Sequence, residues 1–235
     1  MTGYAVKHEQ VAVAGAADLH IRSLLDRMQF SDPLDVALRL GISSAAWPLF
    51  GLVWPSGLQL AASMAARPMV DGERILEIGC GLAVASLVCH RRGADVTASD
   101  RHPLAEGFLA ENLRLNNLPP LPYRHGAWSS RSASEEPDLP DERAVVRGGF
   151  DLIIGADVLY ERDEDATLAG FIAHHARPGA EIWIVDPDRG NRSAFSRQML
   201  DLGFGLRDER LAVPETVAAP RYSGRMLKYA RRAAV

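Results

Sequence analysis

At 235 residues, 47 % apolar and 24 % charged, the chain is long enough to bury a sizeable core, and its composition is that of an ordinary globular protein. A net charge of -4 gives no global attraction for nucleic acid or an anionic membrane surface, and no apolar run approaches the roughly 20 residues that span a bilayer. Two cysteines, Cys80 and Cys89, with no Cys/His cluster beside them, argue against a disulfide scaffold or a zinc site and for a reducing cytoplasm. The apolar run Val11 to Ala17 is short, broken by Gly15 and preceded by His8-Glu9-Gln10, which does not read as a signal peptide.

Residues 1–46 read as an extension ahead of a main domain spanning 47–235. Within the extension, Val11-Ala12-Val13, Gly15 and Leu19-His20-Ile21-Arg22 alternate at strand period and predict a hairpin. Ser31-Asp32-Pro33 is a helix start signal, and Gly41 ends that short helix. The aromatic and proline-rich segment 46–55 leads into a helix beginning near Ser56 or Gly57. From Arg74 the pattern becomes strand–helix alternation. Strands are predicted at Ile75–Ile78, Asp95–Ser99, Tyr123–Trp128, Phe150–Gly155 and Glu181–Val185. Helices are predicted at Leu82–Arg92, Pro103–Asn116, Glu164–Ala176 and Ser193–Leu202, the third stopped by Pro178-Gly179. Two strand-like runs follow, near Gly205–Leu211 and Arg225–Tyr229. Short apolar strands separated by helices imply an α/β fold, a mostly parallel sheet covered on both faces. Ser129–Gly149, rich in serine, acids and arginine and free of aromatics after Trp128 until Phe150, reads as a mobile surface loop.

The informative stretch is Ile75-Leu76-Glu77-Ile78-Gly79-Cys80-Gly81-Leu82-Ala83, answered by Asp100, 21 residues after Gly79. A strand that ends in Gly-x-Gly and enters a helix makes a tight turn at the carboxyl edge of the sheet, where ligands of open α/β sheets bind. An acid ending the next strand can accept hydrogen bonds from both hydroxyls of a ribose. Two cofactors compete for this geometry. A dinucleotide turn wants a small residue at the sixth position, and Val84 is bulky. An adenosylmethionine turn wants an acid, one residue, then Gly-x-Gly. Glu77, Gly79 and Gly81 fit that pattern, with Ala83 in place of a third glycine.

From Trp47 to Asp188 the chain resembles the family-16 seven-β-strand methyltransferases, which contain many protein-lysine methyltransferases. The resemblance rests on Leu52-Val53-Trp54-Pro55-Ser56, on Glu77–Ala83 with Asp100, on Trp128 after the third strand, and on Asp157-Val158-Leu159-Tyr160. That last run matches a D-x-x-Y signature and follows Gly155-Ala156. Asp186-Pro187-Asp188-Arg189-Gly190 is similar to an Asp-Pro-Gly-Arg run of some members, with Asp188 replacing the glycine. The resemblance implies a Rossmann-like, doubly wound seven-stranded sheet and S-adenosyl-L-methionine as cofactor. By position, Trp54 closes over the cofactor, Glu77, Gly79 and Gly81 line its methionine part, and Asp100 holds its ribose. Trp128 packs beside the adenine and Ala156 offers backbone contact. Cys80, a small apolar filler, and Arg101, next to Asp100, complete the cofactor-contacting set. Asp157 and Tyr160 face the methyl acceptor.

The reaction this implies is methyl transfer to a lysine amine of a protein, with no metal. A small-molecule N- or O-methyltransferase and a non-catalytic adenosylmethionine-binding module are the alternatives. Nucleic acid is not the expected partner, because Asp157–Tyr160 lacks the Asn/Asp-Pro-Pro-Tyr form used on base amines. Neither the turn nor the acid identifies the acceptor.

Overall fold

Each central strand carries two apolar faces, and this decides the architecture. In the computed structural model, which describes residues 3–126, 128, 145–215 and 221–231, strand β3 (Arg74–Ile78) sends Ile75 to one side of the sheet and Leu76 and Ile78 to the other. Strand β6 (Phe150–Ala156) does the same with Leu152 and Ile154 against Ile153. Side chains alternate at period 2, so a strand that is apolar at every position must be covered on both faces. One face takes helices α2 (Pro55–Ala66), α3 (Val84–Arg91) and α4 (Ala105–Leu115), through residues such as Leu60, Met64, Leu87 and Phe108. The other takes α5 (Thr167–His175) and α6 (Arg192–Asp201), through Leu168, Ile172, Phe195 and Met199.

With β4 (Asp95–Asp100), β5 (Tyr123–His125), β7 (Ala176–Asp186), β8 (Phe204–Val213) and β9 (Tyr222–Arg231), the sheet has seven strands in the order β5-β4-β3-β6-β7-β9-β8. Strands β5, β4, β3, β6 and β7 pair in parallel, and β9 runs antiparallel to both of its neighbours. The chain moves outward from β3 through β4 to β5, then returns to place β6 on the opposite flank of β3. That reversal opens a crevice beyond the carboxyl end of β3, between β4 and β6. No helix among the described residues is long and apolar enough to cross a membrane.

The predicted hairpin forms from β1 (Val6–Val11) and β2 (Leu19–Leu24), with its first strand starting earlier than the alternation suggested. It packs on α4: Asn112 and Asn116 accept the N–H groups of Arg22 and His20 at 2.8 and 3.0 Å, and Leu19, Ile21 and Leu24 join the same core as Phe108.

Several predicted boundaries move. The helix expected after Ser31 is one turn, α1 (Val36–Arg39), because Asp35 sits at φ 52 and breaks the run from Pro33; the Asp32 carboxylate caps it by accepting from Ala37 and Leu38. Helix α5 begins three residues later than expected, where Asp163 accepts from the N–H groups of Thr167 and Leu168. Strand β7 starts directly from that helix, so Pro178-Gly179 lies inside the strand, and Ala176 already pairs with Phe150. Strand β5 ends at His125, which leaves Trp128 beyond it. Of the segment expected to be a mobile loop, 129–144 lies outside the described residues. Its end is packed: the Val146 N–H donates to the His125 carbonyl at 3.1 Å and its side chain is buried.

Candidate active site

The crevice at the reversal point is a cavity of about 220 Å³. All eleven residues singled out by sequence line it: Trp54, Glu77, Gly79, Cys80, Gly81, Asp100, Arg101, Trp128, Ala156, Asp157 and Tyr160.

The glycine turn is built by backbone conformation and close approach. Gly79 and Gly81 have φ 55 and 52. A Cβ on Gly81 would lie 2.7 Å from the Phe50 carbonyl oxygen, and one on Gly79 would lie 2.8 Å from Val158 Cγ1 and 3.4 Å from the Trp128 ring. The turn is tied to β4: Cys80 N–H donates to the Ser99 carbonyl at 2.9 Å, and Gly81 N–H donates to Asp100 Oδ2 at 2.8 Å. The other Asp100 oxygen accepts from His102 N–H at 2.8 Å. Each carboxylate oxygen therefore keeps lone-pair capacity that a pair of ribose hydroxyls could use. Burial pushes the Asp100 carboxyl up from its ordinary value, and the two backbone donors oppose that shift.

Ala83, which stands where a third glycine was expected, sits at φ 58 and is fully buried. An alanine in the left-handed region is strained by about 1–2 kcal/mol. Ala83→Gly is expected to raise the melting temperature by a few degrees, a change of about 1 kcal/mol in a chain this size being worth roughly 2–4 °C. A calorimetric melt in which the glycine variant is no more stable would contradict this.

Glu77 points off β3 into α3. Its Oε2 accepts the Ser86 N–H at 2.7 Å and the Ser86 hydroxyl. Burial pushes Glu77 up to about 7, with Ser86 opposing and the Asp100 charge adding. A carboxyl raised in the folded state burdens stability only when it must ionise. The burden is absent below the ordinary value of 4.5, grows as pH rises, and is complete above about 7. Glu77→Gln should therefore gain stability relative to the parent between pH 5 and 7 and hold that gain above 7. Melts of both proteins across that range check it, and parallel curves would refute it.

Around this turn the structure adds residues that sequence reasoning missed. His102 stacks on Phe50 with ring centroids 3.7 Å apart and planes 12° apart, and it meets the edge of Trp47. Burial pushes it down to about 3, so the imidazole is neutral. Its Nδ1 accepts from Leu104 N–H, and its buried Nε2 has no partner among the described residues. Trp54 is pinned by its indole N–H to the Leu49 carbonyl at 2.8 Å. The Trp128 indole N–H is likewise buried beside the glycine turn without an acceptor among the described residues. A cradle that admits no Cβ, an acid with spare acceptor capacity and two orphaned ring donors together fit a nucleoside-bearing donor.

The opposite wall of the cavity begins where β6 ends. Ala156 lines the cavity, and Asp157 follows in the left-handed region at φ 60, its N–H donating to the Val185 carbonyl at 2.9 Å. Strained residues of this kind gather at functional sites. The Asp157 side chain is 11 % exposed, and Arg189 Nη2 lies 2.9 Å from its Oδ1, close enough to pair but off hydrogen-bond alignment. Burial pushes Asp157 up; Arg189 opposes this and Asp186 adds to it. Arg189 is held in turn by its N–H, which donates to Asp186 Oδ1 at 2.7 Å. Burial also pushes the Tyr160 hydroxyl up, against the opposing charge of Arg101, which pairs at 3.7 Å with Glu161.

Residues 49–199 match the model of a family described as lysine methyltransferase. An electron transfer flavoprotein beta subunit lysine methyltransferase of Xenopus laevis is 27 % identical over 183 residues, covering 70 % of this chain and 68 % of that protein. A histone-arginine methyltransferase of the same organism is 31 % identical over 138 residues, covering 56 % of this chain and 54 % of that one. Among solved structures, a methyltransferase from Pyrococcus furiosus superposes with a TM-score of 0.56 at 20 % identity, over 83 % of this chain and 96 % of the other, a likeness of fold. The family match spans more than half of the sequence and includes the glycine turn, Asp100 and Asp157–Tyr160: the chain belongs to the lysine methyltransferase family, whose methyl donor is S-adenosylmethionine.

Proposed function

We propose that this chain transfers a methyl group to the side-chain amine of a lysine in a protein substrate. The observation that carries the reading is the convergence on one cavity of the glycine turn with Asp100 and of the strained Asp157 with Tyr160. When bound, S-adenosylmethionine would supply a methyl activated by its sulfonium, open to in-line attack by an aligned lone pair with the sulfur leaving as a neutral thioether. Asp100 would hold its ribose, Trp128 its adenine, and Glu77 with the Gly79–Gly81 turn its methionine part, while Cys80 fills the turn and Arg101 braces Tyr160. Trp54 would close over it, and the Ala156 backbone would approach the reacting end.

Asp157 captures and orients the amine, and Tyr160 supplies a face or hydroxyl beside it. Neither needs to be a strong base, because desolvation in the cavity itself favours the neutral amine. The partial exposure of Asp157 and of Arg189, whose side chain is 39 % exposed, supports an opening wide enough for a side chain presented by a protein. The net charge of -4 favours a protein over a nucleic-acid acceptor. The two buried, unpaired cysteines support the cytoplasm as its place of work.

Incubation with radiolabelled methyl donor and heat-treated lysate tests this. Label is expected in the protein fraction. Label confined to small molecules would replace the reading with metabolite methylation, and no transfer at all would leave only a binding module.

A further inference from the structure

The acceptor side contains a chemical conflict. An amine attacks only when neutral, yet the free lysine value is about 10.4, and a carboxylate beside it favours the ammonium. Asp157 is such a carboxylate, and Asp186 stands behind it, its Oδ2 buried with no partner among the described residues. The groups whose charge or hydroxyl is felt at Asp157 are Arg189 and Asp186, from the end of β7 and the turn after it, and Tyr222 from β9, while Tyr160, from the segment after β6, lines the same cavity. Tyr222 is itself engaged, its hydroxyl 3.1 Å from that of Ser56. Arg189 is the cation in this set. Its guanidinium lies 2.9 Å from Asp157 Oδ1, and its backbone is fixed by Asp186 at 2.7 Å.

We propose that Arg189 is a positioning residue that balances the charge of Asp157, so that an amine oriented by that carboxylate is bound as the neutral nucleophile. The proposal rests on the reading of Asp157 as the acceptor's anchor. Arg189 lies against one carboxylate oxygen, Oδ1, and the amine would take the other. The pair Asp157–Arg189 presents hydrogen-bond acceptance without net negative charge, so it can align the nitrogen without binding its proton. The amine's proton leaves to solvent before transfer; the N–C bond then forms as the C–S bond breaks. Asp186 contributes by holding the Arg189 backbone in place, and its buried charge makes the balancing cation more necessary.

The test compares the parent protein with Arg189→Gln and Arg189→Lys. The readout is the initial rate of methyl-lysine formation in heat-treated lysate protein, measured after acid hydrolysis from pH 6.5 to 10. Loss of the cation should move the ascending limb of the glutamine variant about one pH unit to the alkaline side, which makes it about tenfold slower near neutrality. The apparent KM should not rise. The lysine variant should restore most of the shift. Arg189 is half-exposed, so both variants should fold, and a melt confirms it. A uniformly lower rate with an unmoved limb, or a lysine variant no better than glutamine, overturns the proposal.

An independent measurement needs no turnover. The carboxyl carbon of Asp157, followed by NMR, should titrate at higher pH in Arg189→Gln than in the parent, and an unchanged midpoint overturns the ion-pair basis. Absence of methyl-lysine with the parent protein would instead sink the lysine reading itself, whatever Arg189 does.

Discussion

Gly81→Ala is expected to abolish useful binding of the methyl donor, lowering affinity on the order of a hundredfold, equivalent to about 2.8 kcal/mol. Two independent effects act at this position. The backbone sits at φ 52, where a Cβ costs about 1–2 kcal/mol. That Cβ would also lie 2.7 Å from the Phe50 carbonyl, which is backbone and cannot rotate away, so the turn or the segment carrying Phe50 must shift. Crowding of this kind adds about 1–3 kcal/mol. Because Gly81 N–H is the donor that fixes Asp100 Oδ2, the same shift disturbs the acid. A melt should show destabilisation of several degrees, and calorimetric titration with S-adenosylmethionine should show the affinity loss. Gly107→Ala, in α4 with nothing within 4 Å of its Cβ, is the control: it should leave donor affinity unchanged and, as an alanine replacing a helical glycine, raise rather than lower the melting temperature. Wild-type donor affinity in Gly81→Ala would remove the turn from the donor site.

Asp157→Asn should do the opposite: keep the donor and lose the reaction. Asparagine tolerates the left-handed backbone at this position and preserves the side chain's shape, so the fold and the glycine turn are undisturbed. Removing the carboxylate leaves the Arg189 guanidinium without the counter-charge that lay 2.9 Å from it. Turnover should fall on the order of a hundredfold, the scale on which losing one preorganised electrostatic contact acts, while donor affinity stays within about threefold. Tyr160→Phe should fall less, because the ring face remains. If Asp157→Asn loses donor affinity in step with turnover, the residue belongs to the donor side and the division of roles fails.

The sheet and the glycine turn with its acid were legible because their signals are local. Ile75–Ile78 is apolar at every position but one, which specifies a strand covered on both faces, and Gly79-Cys80-Gly81 and Asp100 each end a strand at the same edge. The order of β8 and β9 was not legible, since nothing in two strand-like runs says which inserts beside β7. The sequence pattern starts α5 too early because the capping acid, Asp163, reaches past Ala166 at φ 55. His102 and Phe50 were missed for a different reason: they meet only when the 3-10 turn at Trp47–Gly51 folds over the end of β4, a tertiary contact with no periodicity. Arg189 stood in a run that the sequence did single out, but its pairing with Asp157 depends on β7 lying beside β6, which only the sheet order reveals.

The central claim is that one cavity delivers a methyl group to a lysine nitrogen of a protein. The most direct test is amino-acid analysis of protein labelled by this chain from radiolabelled S-adenosylmethionine, with the Asp157→Asn variant run alongside. Label is expected in Nε-methylated lysine, strongly reduced in the variant. Label in methylated arginine or in an N-terminal amine, or labelling of lysine that is indifferent to Asp157, would contradict it.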